Sequence, residues 1–259
     1  MTDTTTPAAW PRPHWQPSGE QAVLLFFVFG AFPEDMVLPV SKYGSPGLPD
    51  GVELKRFQNT VLAKWEGYPL GGALGDLLRN DNPDAYAEAK AAPHVVAIRG
   101  RFYDRDSLDY LRDTLGVVAA LLDIGGSKAT VIDPQILSLF DAAAWRRHYL
   151  IEGGAPTRHH VLIMSSPEEG AAGRSWVRTR GMRKFGRPDI SLANVPDSEL
   201  NRAGALSERF VDLGALGAHF EHGQGIEVDG VPGGLVVTLS GDEDDATFNN
   251  SHVDMRWPD

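Results

Sequence analysis

The chain has 259 residues, 24 Lys plus Arg against 35 Asp plus Glu for a formal net charge of -11, and no cysteine. The lack of thiols excludes a disulfide scaffold, a thiolate metal centre and a cysteine nucleophile, while 42% apolar and 23% charged residues argue against general disorder and against a membrane-embedded chain. The acidic balance also disfavours a broad nucleic-acid surface, since phosphate is repelled unless cations gather on one face.

The first 20 residues hold four Thr and four Pro, with neither a basic start nor an apolar stretch. They therefore read as a flexible tail over residues 1–21 rather than a signal peptide. The strongest apolar run, residues 23–32, is too short for a span that needs about 20 residues in a helix, and its Val and Phe content predicts a buried strand. Residues 33–49 carry Pro39, Gly44, Pro46 and Gly47 and predict an irregular connection with a short strand near Met36 to Val40. Val52, Leu54, Phe57, Val61, Leu62 and Trp65 recur at three- and four-residue intervals, which predicts a helix. Weaker helical signals follow at 73–78 and 85–91. Residues 95–98 read as a strand, and Asp104 or Asp106 as the cap of a helix with an apolar stripe of Leu108, Leu111, Leu115, Val118 and Leu122. Gly125 and Gly126 end it, and residues 130–133 form the next strand. A strand, a helix and a strand with short joints predict a crossover between parallel strands. Residues 137–150 read as another helix.

After a Gly- and Pro-containing joint at 151–157, strands are expected at 160–164, 176–179 and 190–195. Asp197 or Ser198 caps a helix carrying Leu200, Leu206, Phe210, Leu213 and Phe220, and two strands at 225–228 and 235–239 flank a hairpin-type turn. In the last strand Val253, Met255 and Trp257 alternate with His252, Asp254 and Arg256. The whole predicts an α+β (mixed α/β) protein of two packed halves, 22–150 and 158–259, each a small sheet with helices on one face.

The most unusual chemistry lies in residues 173–190, where Arg174, Arg178, Arg180, Arg183, Lys184 and Arg187 stand close together in an acidic protein. Guanidinium forks bind carboxylate and phosphate through paired hydrogen bonds, so Arg178, Arg180 and Arg183, with His252 and Asp254 from the last strand, are candidate residues for an anionic ligand. Asp242, Glu243, Asp244 and Asp245 supply internal partners for the same cations, and internal pairing is the favoured expectation. His219 and His222 are three apart and form a weak metal pair, without a third ligand at diagnostic spacing. The acidic run at 241–250 lacks the glycine and terminal glutamate of a calcium loop, and Ser165 and Ser166 have no fixed catalytic partners. Nucleotide-binding and hydrolase motifs are missing from the sequence, and no cofactor is expected.

Residues 179–195 (TRGMRKFGRPDISLANV) and 241–258 (GDEDDATFNNSHVDMRWP) resemble a loosely defined group of uncharacterised bacterial proteins over about residues 150–258. The group carries no assigned reaction, and the resemblance implies an association with secretion and toxin-immunity settings. The leading expectation is a non-catalytic, cytoplasmic, protein-binding factor of antitoxin-like immunity type, with another protein as partner and neither nucleic acid nor membrane. The alternative is an enzyme or small-ligand protein that holds an anionic substrate through residues 174–187.

Overall fold

The apolar run forms strand β1 (Gln21–Gly30), buried without a break from Phe26 to Gly30. The computed structural model describes residues 8–151, 154–245 and 247–259, and it is a mixed α+β fold whose chain divides into two units. One comprises residues up to 11, 23–102 and 107–156; the other comprises 12–22, 103–106 and 157–259.

In the first unit β1 is followed by β2 (Val52–Gln58), α1 (Asn59–Leu62), α2 (Gly72–Asp81), α3 (Pro83–Ala91), β3 (His94–Tyr103), α4 (Asp109–Ile124), β4 (Thr130–Asp133), β5 (Ser138–Asp141) and α5 (Ala142–Tyr149). The sheet order is β2-β3-β1-β4-β5, and the pairs β2/β3, β1/β4 and β4/β5 are antiparallel. On one face Phe27, Phe29, Val95, Ile132 and Leu139 pack against Leu62, Tyr68, Leu70, Leu78, Ala85 and Ala89 of the helical stretch. Leu24, Phe26 and Val28, on the opposite face of β1, are fully buried as well, and α4 buries twelve of its 16 residues.

Several expectations change here, each for a physical reason. Residues 52–65 are not one helix: seven of them pair with β3 as a strand before a single helical turn, so the three- and four-residue spacing came from two short elements in succession. Pairing in the sheet outweighed the local periodicity. No strand forms at 36–40, where the chain instead enters a 3-10 turn (Val40–Tyr43) closed by Gly44 at φ 62. The helix expected over 137–150 starts only at Ala142, because Leu137 takes φ 54 in the β4–β5 turn and Asp141 Oδ1 then accepts from the N–H groups of Ala143 and Ala144. Strands β3 and β4 are not adjacent, since β1 lies between them, but the expected parallel crossover through α4 is kept: Asp104 N donates to Glu20 O and Phe32 N to His94 Nδ1, so β3 runs antiparallel to β1, as β4 does. Neither Asp104 nor Asp106 caps α4, whose N-cap is Leu108 with no side-chain bond.

The second unit contains β6 (Leu162–Pro167), β7 (Arg174–Arg180), β8 (Asp189–Pro196), α6 (Leu200–Ala215), β9 (Gly225–Ile226), β10 (Leu235–Val236), β11 (Thr238–Ser240) and β12 (His252–Arg256). Its main sheet runs β11-β12-β8-β7-β6, with β12 parallel to β8 and the other pairs antiparallel. Strands β9 and β10 form a separate hairpin. Val177, Ile190, Leu192, Val253 and Met255 turn to one face and pack with Ala203 and Phe210 of α6. The helix is shorter than expected: it ends at Ala215, Gly217 takes φ 108, and Phe220 returns to meet Phe210 edge-on at 5.4 Å. The flexible-tail reading fails from Arg12 onward, because Arg12 is buried in this unit; residues 1–7 lie outside the described residues, as do 152 and 153 of the expected joint.

Candidate functional site

Strand β7 alternates half-buried and buried residues without interruption, so Arg174, Trp176, Arg178 and Arg180 share the face turned away from α6. Each cation is met inside the chain. Arg174 donates to Asn194 O at 3.1 Å, Arg180 to Thr247 O at 2.7 Å, and Arg183 to Asn249 O at 3.0 Å and Glu243 Oε2 at 2.7 Å. Lys184 is fully buried and donates to His160 O at 3.0 Å. Arg178 is held differently, by Ser166 Oγ at 2.9 Å and by the face of Trp176 at 4.2 Å. Burial lowers the guanidinium pKa of Arg178, and also that of Arg180, where Asp189 opposes the shift.

Described residues of the acidic run fold over this face. Asp245 Oδ1 accepts from Thr247 N and Phe248 N at 2.9 Å each, closing a tight local turn that lowers its carboxyl pKa. The turn delivers Phe248 edge-on to Trp176 at 5.9 Å and stacked on His252 at 4.1 Å. His252 Nε2 lies 3.2 Å from Asp254 Oδ2, and Trp176 Nε1 donates to Ser191 Oγ. Arg178, Arg180, His252 and Asp254 thus do come together on one sheet face, and Arg183 reaches the same loop.

The histidine pair does not lie on a helix, since α6 has already ended. His219 Nε2 contacts Gln16 O at 3.0 Å and His222 Nδ1 accepts from Leu239 N at 3.3 Å. Among the described residues no group of three or more His, Cys, Asp or Glu could hold a metal ion.

Asp104 was not foreseen as a hub. Its Oδ1 accepts from Arg12 Nη1 at 2.6 Å and Arg187 Nη1 at 2.9 Å, and its Oδ2 from Trp15 Nε1 at 2.9 Å and Ser18 Oγ at 3.1 Å. Arg12 also donates to Ala215 O and Phe185 O, and Arg187 to Ala218 O and Gly217 O. Burial pushes the Asp104 carboxyl up, but the bonds and charges of Arg187 and Arg12 outweigh it and hold the pKa below the usual carboxylate value. This is a folding centre with every strong acceptor direction filled. No sequence signal marked it, because its members come from segments about 90 and 170 residues apart in the chain.

In the first unit the helical stretch covers the sheet face only in part. The uncovered remainder is a cleft of about 470 Å³ with Leu25, Phe27, Phe57 and Ala97 on its floor, and Val61, Leu62 and Trp65 on one side. Trp65 is 54% and Val61 59% exposed, which is unusual for side chains of that size beside a core. Glu53, Lys55 and Arg99 line the other side, where Glu53 lies 3.3 Å from Arg99 and 3.6 Å from Lys55. The sequence reading placed Phe57, Val61, Leu62 and Trp65 on one helix, with Leu25, Phe27 and Ala97 in separate strands, and so passed over the cleft.

No protein-family model, curated protein or solved structure matches the chain. Among the described residues no helix is long and apolar enough to cross a membrane.

Proposed function

We propose that the chain is a non-catalytic protein-binding factor, and that the cleft beside Trp65 is its docking surface. The observation that supports this most directly is the apolar floor of the cleft with two large, exposed side chains at its margin. Aromatic residues of this kind dominate protein interfaces because they bury much area at little cost in rotamer freedom. The rim selects the partner's chemistry: one carboxylate, Glu53, stands between two cations, Lys55 and Arg99, leaving a local excess of one positive charge. The occupant is therefore an amphipathic segment of a partner protein, with an apolar face for the floor and a carboxylate beside it for the rim. An antitoxin-like immunity factor is a protein of this type, with a toxin as the partner.

The reading is tested by isolating the protein from its native host and identifying whatever accompanies it at a fixed ratio. The partner should be lost with Trp65→Glu, a change at an exposed position, and cross-linking at residue 61 should map to an apolar segment flanked by acid. Repeated recovery as a lone species, or a partner retained by Trp65→Glu, would overturn it.

The competing view, an anionic substrate held by the arginine segment, retains one specific supporter in Arg178, which is bound by a hydroxyl and a ring rather than by carbonyls or carboxylates. The engagement of Arg174, Arg180, Arg183, Lys184 and Arg187 within the chain weighs against it.

A further inference from the structure

Strand β2 is the edge of the first unit's sheet, and its outer side carries a pattern that fits itself. Two bonds set the phase of the β2–β3 ladder: Arg101 N donates to Gly51 O at 3.4 Å, and Asn59 N to Pro93 O at 2.9 Å. Bonding in an antiparallel pair alternates, so the backbone groups of Glu53, Lys55 and Phe57 point at β3, and those of Leu54, Arg56 and Gln58 point outward. Among the described residues, Leu54, Arg56 and Gln58 make no backbone hydrogen bond to any other segment on that side. An unpaired edge of this kind is a template for another strand.

We infer that two copies of the chain pair antiparallel through β2 about a two-fold axis at Leu54. The charges choose this register. With the axis at Leu54, Glu53 lies directly opposite Lys55 of the second copy and Lys55 opposite its Glu53, both as the non-hydrogen-bonded pairs whose Cα atoms approach to about 4.5 Å. Both side chains are more than half exposed, so they can turn from their contact within one copy to meet across the seam. Leu54, whose N–H and C=O point outward, exchanges two hydrogen bonds with its own copy, and Phe57 falls opposite Gly51, where no side chain obstructs the ring. Registers centred on a charged residue are penalised: an axis at Glu53 or at Lys55 sets two like charges face to face, and an axis at Arg56 sets Arg56 opposite its own copy. Closing the edge in this way also places the two clefts side by side, since Lys55 and Phe57 line each of them. The seam then runs along the middle of one longer groove. The pairing stands independently of what enters the cleft.

The test is the mass of the 259-residue chain in solution, measured by light scattering and sedimentation across concentration at low salt. Wild type should move from 28.1 kDa towards twice that mass as concentration rises. Glu53→Lys alone and Lys55→Glu alone should each remain at the monomer mass while keeping the circular dichroism of the folded wild-type chain. An equimolar mixture of the two variants should recover the dimer, because each Lys pair then meets a Glu pair, and the double variant should recover it as well. A wild-type protein that stays monomeric at several hundred micromolar overturns the inference. So does a dimer that neither single variant disturbs. Trp65→Glu should leave the mass unaffected, so loss of this pairing and loss of the partner in the cleft are read separately.

Discussion

Asp104 shows how a residue with no local pattern can decide stability. Four donors converge on its two oxygens, and the two guanidiniums among them are fully or almost fully buried. Removing one member of such a set strands the others without solvent, so Asp104→Asn should cost about 3–5 kcal/mol at neutral pH, read from urea unfolding. The sign of the pH effect follows from its lowered pKa: this stability is present above the unfolded value of about 3.9 and is lost as pH falls through the folded value. The gap between wild type and variant should therefore close in acid. Asp189 acts in the opposite sense. Burial raises its carboxyl pKa against the bonds from Asn250, Thr179 and Met182, so its contribution is full below about 3.9 and fades as pH rises through the folded value. The arginines differ from one another in the same way. Arg180 holds down the loop carbonyl of Thr247, and Arg180→Ala should cost about 1–3 kcal/mol; Arg178 adds a hydroxyl bond and an aromatic contact near the surface, and Arg178→Ala should cost under about 1 kcal/mol. Comparison of their urea midpoints checks this ordering, and equal losses would contradict it.

Among the elements, β8 owes its shape to one residue. Ser175 pairs with Val195 but Val177 with Leu192, so β8 carries an extra residue at this point, and Asn194 takes φ 61 there. Its Nδ2 donates to Trp257 O at 2.9 Å, which secures the chain end just after β12. Alanine at 194 would keep the strained backbone and lose the bond, whereas glycine would lose only the bond. Asn194→Ala should therefore be the more destabilising by about 1–2 kcal/mol, in thermal or urea unfolding. The loop over β7 works by the same local logic, with Asp245 organising a turn that presents Phe248 to Trp176 and His252. Alternation on β12 was readable because a strand buried on one face must alternate, and Val253, Met255 and Trp257 do so in the sequence. The split of residues 52–65 was not readable, because a strand followed by one helical turn mimics a helical period over so short a stretch.

For the molecule as a whole, the sequence by itself determined the fold class. The compact units are discontinuous, with 12–22 and 103–106 joining 157–259, but strand-like and helix-like patterns along a thiol-free, acidic sequence already read as a mixed α+β protein. The sequence also set out two rival uses for the arginine segment, internal pairing and anion binding, and named the acids at 242–245 as partners; the contact between Arg183 and Glu243 is of that internal kind. Tertiary structure alone decided which segments share a core. It sent Arg12 and Asp104 to the second unit with Arg187, left part of a sheet face open beside Trp65, and made β2 an edge. The reason is that patterning reports which side of an element is buried, a property of neighbouring residues. The identity of the burying partner, and the place where cover runs out, depend on long-range pairing that no local spacing encodes.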